Sequence, residues 1–537
     1  MFQRVCFLLL AVVIAALAGC DNSPAPSGNS NATPDPAAFS ILATSDLRDA
    51  ETLAGMIQQA TGVKVRFVFG GTMESADKVI NGKADTDAAW FANAKYVLSD
   101  PAGQARVRMQ EKIMLSPLVI GVSQSDAQRL GWTGDAKVTW KAVAEAAKAG
   151  QLRYAMSNPA SSNQGFMALM GVAAAFADKP EALTLADVRK DRVRDFLAGY
   201  KLVGDNSTYL SEKFIEKQGA EINAFINYES WLLSLNQSGK LREPLALIYP
   251  HEGVATADYP LLLLDDARRA DYIKIVDYLK GPEAQRWLAE KTLRRPLNPE
   301  AARQTANLFP SGRLLVELPF TADRAVADAL LDAYMNQFRT PIASVFVLDV
   351  SGSMNEAGRR QSLIESLHFL AGSDDSITGR LARLASRERV VMLPFSTTVL
   401  PRQQFEIPVD DQAKAQTFAQ IRYYADGLTM EGRTRLYDAA LAALALLADE
   451  KARNPGYLYS AVLFTDGQSN EGRDLAGFQQ AYQQLPPAAR DIPVFAILYG
   501  ESNVKDLEEV AKLTRGKTFD ARKIRLPTVF KEIRAYQ

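Results

Sequence analysis

Apolar positions along this chain change period repeatedly, and the changes mark alternating strands and helices. Phe39-Ser40-Ile41-Leu42-Ala43 is a short strand pattern, and Thr44-Ser45-Asp46 offers N-cap oxygens to a helix over about 47–60. Residues 63–69 alternate as a strand does. Gly70-Gly71-Thr72 breaks them, 74–81 reads as a helix and 87–91 as another strand. This alternation predicts a parallel α/β sheet. Residues 117–122 read as a buried strand and a helix-rich stretch runs to about 235. Strands return at 245–250 and 261–264, followed by helices near 270–279 and 282–291. The pattern ends around 310–320. Residues 323–338 then form an amphipathic helix with Val326, Leu330, Tyr334 and Phe338 on one stripe, expected as a connector packed against one neighbour.

Beyond the connector the pattern is more regular. Residues 342–348 are a near-continuous apolar run, as expected of a central parallel strand covered on both faces. It leads straight into Asp349-Val350-Ser351-Gly352-Ser353. A helix over 361–371, a strand over 389–394 and a helix opened by Gly432-Arg433-Thr434 follow. A strand over 458–464 ends in Thr465-Asp466-Gly467. Strands at 495–498 and 517–520 alternate with helices at 503–514 and 527–536. The expectation is a doubly wound sheet, in which ligands bind outside the carboxyl ends of the strands. Asp349 and Asp466 both stand at such ends.

Composition narrows the chemistry. The 537 residues carry 61 basic and 62 acidic side chains, so there is no basic stripe and no nucleic-acid partner is expected. Only Cys6 and Cys20 are cysteines, which excludes a disulfide framework. Only His251 and His368 are histidines. Triad catalysis would need one of them, and zinc sites usually want more nitrogen or sulfur. A bound metal would be held mainly by oxygen, which favours Mg²⁺, Mn²⁺ or Ca²⁺. No phosphate loop, nucleophile elbow or second-metal carboxylate cluster is present, so the chain is not expected to be an enzyme.

The N-terminus has Arg4, an apolar stretch over 5–16 and then Leu17-Ala18-Gly19-Cys20, which resembles a bacterial lipobox. The resemblance implies a signal peptide over 1–19, acylation of Cys20 and anchoring to a bacterial membrane on the periplasmic side. In such lipoproteins an aspartate placed as Asp21 is favours the inner membrane. Residues 20–37, rich in Ser, Pro, Asn, Gly and Ala, read as a flexible tether.

Residues 38–320 resemble a type II periplasmic solute-binding protein. The resemblance rests on Ala43-Thr44-Ser45, Gly70-Gly71-Thr72, the run Ser157-Asn158-Pro159-Ala160-Ser161-Ser162-Asn163-Gln164-Gly165 and Asn227-Tyr228-Glu229-Ser230. It implies two α/β lobes, one of about 38–120 with 245–315 and one inserted between them. It also implies a solute site using Thr44, Ser45, Thr72, Ser161, Ser162, Asn163, Tyr228 and Glu229. Hydroxyls, amides and orphan backbone N–H groups at helix N-termini favour a polar or anionic ligand; the same residue types also serve simply as caps.

Residues 341–537, after a connector over 321–340, resemble a von Willebrand factor A (integrin I-like) domain, Rossmann-like in fold. Asp-x-Ser-x-Ser at Asp349, Ser351 and Ser353, with Thr434 and Asp466, matches that family's metal-ion-dependent adhesion site. The resemblance implies a bound Mg²⁺ (or Mn²⁺ or Ca²⁺) with one open coordination position, filled by an acidic side chain of a protein partner. The expected function is a membrane-anchored binding protein whose solute-binding-like module senses a ligand or supports assembly. The alternative is the substrate-binding receptor of an ABC-type importer for a small polar solute or anion.

Overall fold

A computed structural model describes residues 37–536 apart from 135, 178–182, 205, 311–314, 319–322, 357, 467–468, 499–503 and 523–525. The expected signal peptide, Cys20 and almost all of the expected tether lie outside the described residues. Among the described residues no helix is long and apolar enough to cross a membrane.

The first lobe is a five-stranded sheet. Its strands are β1 (Phe39–Thr44), β2 (Val65–Gly70), β3 (Ala88–Trp90) and β4 (Met109–Lys112), joined later in the chain by a strand at Pro260–Leu263. The spatial order is β2, β1, β3, Pro260–Leu263, β4. The expected parallel sheet is corrected here. β1 runs parallel to β2 and β3, but Pro260–Leu263 is antiparallel to both its neighbours. It returns from the second lobe, so it enters the sheet from the opposite end. The helix expected over 47–60 is two elements, a 3-10 turn at Ser45–Ala50 and an α-helix at Leu53–Thr61. The tighter turn places Leu47 and Ala50, three apart, into the core together.

The second lobe is built on β5 (Met114–Ser123), β6 (Tyr154–Ser157), β7 (Tyr200–Gly204), β8 (Ala224–Tyr228) and β9 (Leu245–Ile248). β5 and β9 pair with each other and β5 pairs with β8, so both belong to this lobe rather than to the first. β6, β7 and β8 fall inside the stretch expected to be helix-rich. β6 reads Tyr-Ala-Met-Ser with all four residues buried, so it shows no alternation for the sequence to betray. The chain crosses between lobes after β4 and again between β9 and Pro260.

The connector is an α-helix at Arg324–Ala333 ending in a π-turn at Tyr334–Phe338. Val326, Leu330, Tyr334 and Phe338 are all buried, as their stripe predicts. It does not pack on a single neighbour. Arg324 binds Asp100 and Asp328 accepts from the Tyr96 hydroxyl in the first lobe, while the helix also packs on Asn163–Ala175 of the second.

The C-terminal domain is a six-stranded sheet. Its strands are β10 (Ile342–Asp349), β11 (Arg389–Phe395), β12 (Gln403–Glu406), β13 (Leu458–Thr465), β14 (Val494–Leu498) and β15 (Thr518–Asp520). The order is β12, β11, β10, β13, β14, β15, parallel throughout except for β12 at the edge. All eight residues of β10 are buried. Phe346 and Leu348 enter one core layer, and Val345 and Val347 the other. Helices on both faces therefore explain the unbroken apolar run.

Candidate functional site

The central strand sets the site. β10 delivers Asp349 at its carboxyl end and β13 delivers Asp466 one residue past its own end. Asp349 is fully buried and Asp466 nearly so. Asp349 Oδ1 accepts from the Ser351 N–H at 2.9 Å, and Oδ2 accepts from the Thr465 hydroxyl at 2.7 Å. The Ser351 and Ser353 hydroxyl oxygens lie 3.2 Å apart, and Ser353 donates to Asp466 Oδ1 at 3.0 Å. The third loop is tied to the first by two backbone bonds, Gly352 N–H to the Gly432 carbonyl (3.0 Å) and Glu431 N–H to the Val350 carbonyl (2.8 Å). Gly432 has φ +83°, and a Cβ there would stand 2.6 Å from Thr397 Oγ1. Only glycine holds this backbone without strain. Thr434 is buried, with its N–H donating to Asn470 Oδ1 at 2.8 Å. All five expected residues therefore lie in three loops joined at the carboxyl edge of the sheet.

Burial pushes the Asp349 carboxyl up to about 6, and the charge of Asp466 adds to the effect. Two buried carboxylates beside three hydroxyls form an oxygen donor set of the kind that suits a hard divalent cation. Among the described residues no cluster of three His, Cys, Asp or Glu occurs, so hydroxyl oxygens would have to complete a donor set here.

Arg359, at the start of the helix Arg359–Leu370, was not singled out by the sequence. Its Nη1 donates to Asp466 Oδ2 at 2.6 Å and to the Ser353 carbonyl at 3.2 Å. It neutralises one of the two acids from the side. A basic residue six positions after the last serine of Asp-x-Ser-x-Ser was the available signal. Thr465 and Asn470 are also site residues whose roles only the hydrogen bonds reveal. His368 lies with Nε2 3.0 Å from Asp426 Oδ1.

In the first unit a cavity of about 50 Å³ lies between the lobes, with room for about three or four waters. Ser45, Thr72, Ser161, Ser162, Asn163 and Tyr228 line it as expected, joined by Asp46, Gln164, Asn206, Ser207, Thr208 and Trp231. Thr44 and Glu229 do not line it. Thr44 is fully buried on β1, and Glu229 is fully buried in an ion pair with Arg295 (2.6 and 2.7 Å), with the Tyr249 hydroxyl donating to it as well. A glutamate at a helix start looks solvent-facing in sequence; only the crossing strand that carries Arg295 reveals its partner. Helices begin at Thr72 and Asn163 without side-chain caps, which leaves backbone donors at the cleft, whereas at the start of the Glu229 helix the Ser230 N–H donates to Ser116 Oγ at 3.1 Å. Asp46 Oδ2 and Ser161 Oγ are buried there without a protein hydrogen-bond partner, and burial raises the Asp46 carboxyl.

Residues 41–292 match the family model of bacterial extracellular solute-binding proteins, and residues 345–532 match that of the von Willebrand factor type A domain. No curated protein matches the chain. Similar solved structures include the periplasmic binding protein AfuA from Actinobacillus pleuropneumoniae with exogenous fructose-6-phosphate bound. It is 16% identical with a TM-score of 0.44, covering 56% of this chain and 98% of its own. The sulfate-binding protein SubI from Mycobacterium tuberculosis H37Rv is 18% identical with a TM-score of 0.40, covering 54% and 96%. A ferric binding protein from Campylobacter jejuni is 11% identical with a TM-score of 0.41, covering 55% and 98%.

Proposed function

We propose that this fusion of a solute-binding-protein domain with a von Willebrand factor type A domain is a non-catalytic binding protein of the bacterial cell envelope. It is lipid-anchored through Cys20 at the periplasmic face of the inner membrane. Asp349, Ser351, Ser353, Thr434 and Asp466 would hold Mg²⁺, with Mn²⁺ or Ca²⁺ as substitutes. The metal, when bound, offers an acid-binding position to a protein partner. The observation that carries this reading is the pair of buried acids, linked through Ser351 and Ser353, at the carboxyl edge of a parallel sheet. The protein's own groups do the positioning: Thr465 and the Ser351 N–H fix Asp349, and the Gly432 turn sets Thr434 against the serine loop. Arg433, largely exposed beside Thr434, adds a cation suited to an acidic partner.

The test is capture from solubilised native membranes with the unlipidated protein as bait, run with Mg²⁺, with EDTA and as Asp349→Ala. A protein retained only by the parent with Mg²⁺ is expected. A partner retained equally with EDTA and by Asp349→Ala would sink the reading.

The second reading, a receptor delivering a small polar solute or anion to an ABC-type importer, is favoured by one observation. Six of the eight expected cleft residues line a single cavity, beside two helix starts without side-chain caps. Calorimetric titration with small polar solutes and oxyanions tests it, and heat that vanishes in Ser162→Ala is the expected result.

A further inference from the structure

The two sides of the interlobe cleft are both held by the C-terminal domain, through elements whose other ends line the cavity. On the first lobe, the helix Thr72–Ile80 begins at the cavity with Thr72 and packs against Ile377–Ala382 of the C-terminal domain. Leu381 and Ala385 of that domain are buried in the same core as Met73 and Ala76. On the second lobe, the loop that supplies Ser161 and Ser162 also supplies Asn158, whose Nδ2 donates to the Arg534 carbonyl at 3.4 Å. The turn that supplies Ser207 supplies Asn206, whose Nδ2 donates to the Tyr536 hydroxyl at 3.3 Å. Tyr209 packs edge-on to Tyr536 with centroids 4.6 Å apart. The two attachments are not independent. The C-terminal helix, Leu526–Ala535, packs on Ile377–Ala382 and on Arg359–Leu370.

A separation of the lobes must therefore break the contacts of one attachment or carry the C-terminal helix away from Ile377–Ala382. Packed interfaces of this kind switch between discrete arrangements rather than stretch. There is also space for a second arrangement. A cavity of about 270 Å³ opens beside Tyr536, between Lys213 of the second lobe and Tyr459 and Phe495 of the C-terminal domain.

We infer that the von Willebrand factor type A domain is a strap across the solute cleft: its C-terminal helix and Ile377–Ala382 together hold the two lobes closed, and solute exchange requires that helix to shift. This goes beyond the functions proposed above, and its test does not depend on whether a solute or a metal binds. The link also reaches the acidic site, because Arg359, which pairs with Asp466, opens the helix against which the C-terminal helix packs.

The experiment is a spin-label distance measurement in the full chain with Cys6 and Cys20 replaced by Ser. Labels sit at Gln59→Cys on the first lobe and Lys240→Cys on the second, both exposed helix-end or turn positions. The parent should give one narrow distance. Asn206→Ala with Tyr536→Ala should broaden it and add a longer component. Tyr536→Phe, which keeps the ring packing and removes only the hydroxyl, should give a smaller shift in the same direction at an unchanged melting temperature. An unaltered narrow distance in both variants would overturn the strap. If the double variant does not fold, the Tyr536→Phe distance decides alone.

Discussion

At the residue scale, Asp349 carries the most consequential energetics. Its carboxyl is raised from the ordinary 3.8 to about 6, first by burial and then by Asp466. An acid whose folded value lies above its unfolded value binds more protons when folded, so stability falls as pH rises between the two values. Without metal, the protein should therefore lose up to about 2–3 kcal/mol between pH 4 and pH 6 from this residue and then level off. Urea unfolding of the parent and Asp349→Asn in EDTA isolates the effect. The variant should be the more stable of the two at pH 7 in EDTA, and Mg²⁺ should reverse the order by stabilising the ionised parent. An identical pH dependence for both proteins would mean that Asp349 is not held as described.

Arg359 belongs to the same scale. It supplies a positive charge to Asp466 but leaves Asp349 to two neutral donors. Among the described residues no cation is hydrogen-bonded to Asp349 to offset the loss of water, so burial raises its carboxyl.

At the element scale, three loops must keep a fixed spacing, and Gly432 is where that spacing is most exposed to change. Its left-handed backbone and the 2.6 Å approach to Thr397 leave no room for a methyl group. Gly432→Ala should cost about 1–3 kcal/mol in urea unfolding and displace the turn that bonds to Val350 and Gly352 and leads into Thr434. Gly456→Ala, where nothing lies within 4 Å, is the control and should cost little. Equal costs at both positions would refute the claim that the 431–434 turn is sterically fixed. The elements that the sequence displayed best are those with one unmixed pattern, a long apolar run or a single helical stripe. The strand into Asp349 and the connector stripe at Val326, Leu330, Tyr334 and Phe338 lie where their patterns place them. β6, β7 and the edge strand β12 are too short for their patterns to outweigh the helix-forming residues around them.

At the scale of the whole molecule, a buried charge cluster joins the connector to the start of β11 and to the C-terminal helix. Glu388 accepts from Arg339, at the end of the connector, and from Arg534, in the C-terminal helix. All three are at most 5% exposed. Glu388→Ala leaves two guanidinium groups buried without their acid and should destabilise by about 3–5 kcal/mol. Replacing all three together by Met, Leu and Met should cost much less, because it removes the buried charges along with the bonds. A single variant no worse than the triple would show that the cluster is not desolvated. The same helix that Arg534 anchors forms the proposed strap, so loss of Glu388 should also lengthen the interlobe distance.

Two α/β regions and the five residues gathered at the carboxyl edge of the C-terminal sheet are legible along the chain. These are local in kind: strand-loop-helix junctions whose residue types sit next to the turns that expose them, so spacing along the chain carries the information. The sequence also placed six of eight cleft residues, since loops before helices are legible as caps. The rest depends on contacts between residues far apart in the chain. Arg295 takes Glu229 out of the cleft, Pro260–Leu263 enters the first sheet backwards, and Arg359 reaches across to Asp466. Asn206 meets Tyr536 330 residues away, and with it the C-terminal domain closes over the cleft. No periodicity records such a meeting, because it is set by how finished elements pack rather than by how any one of them forms.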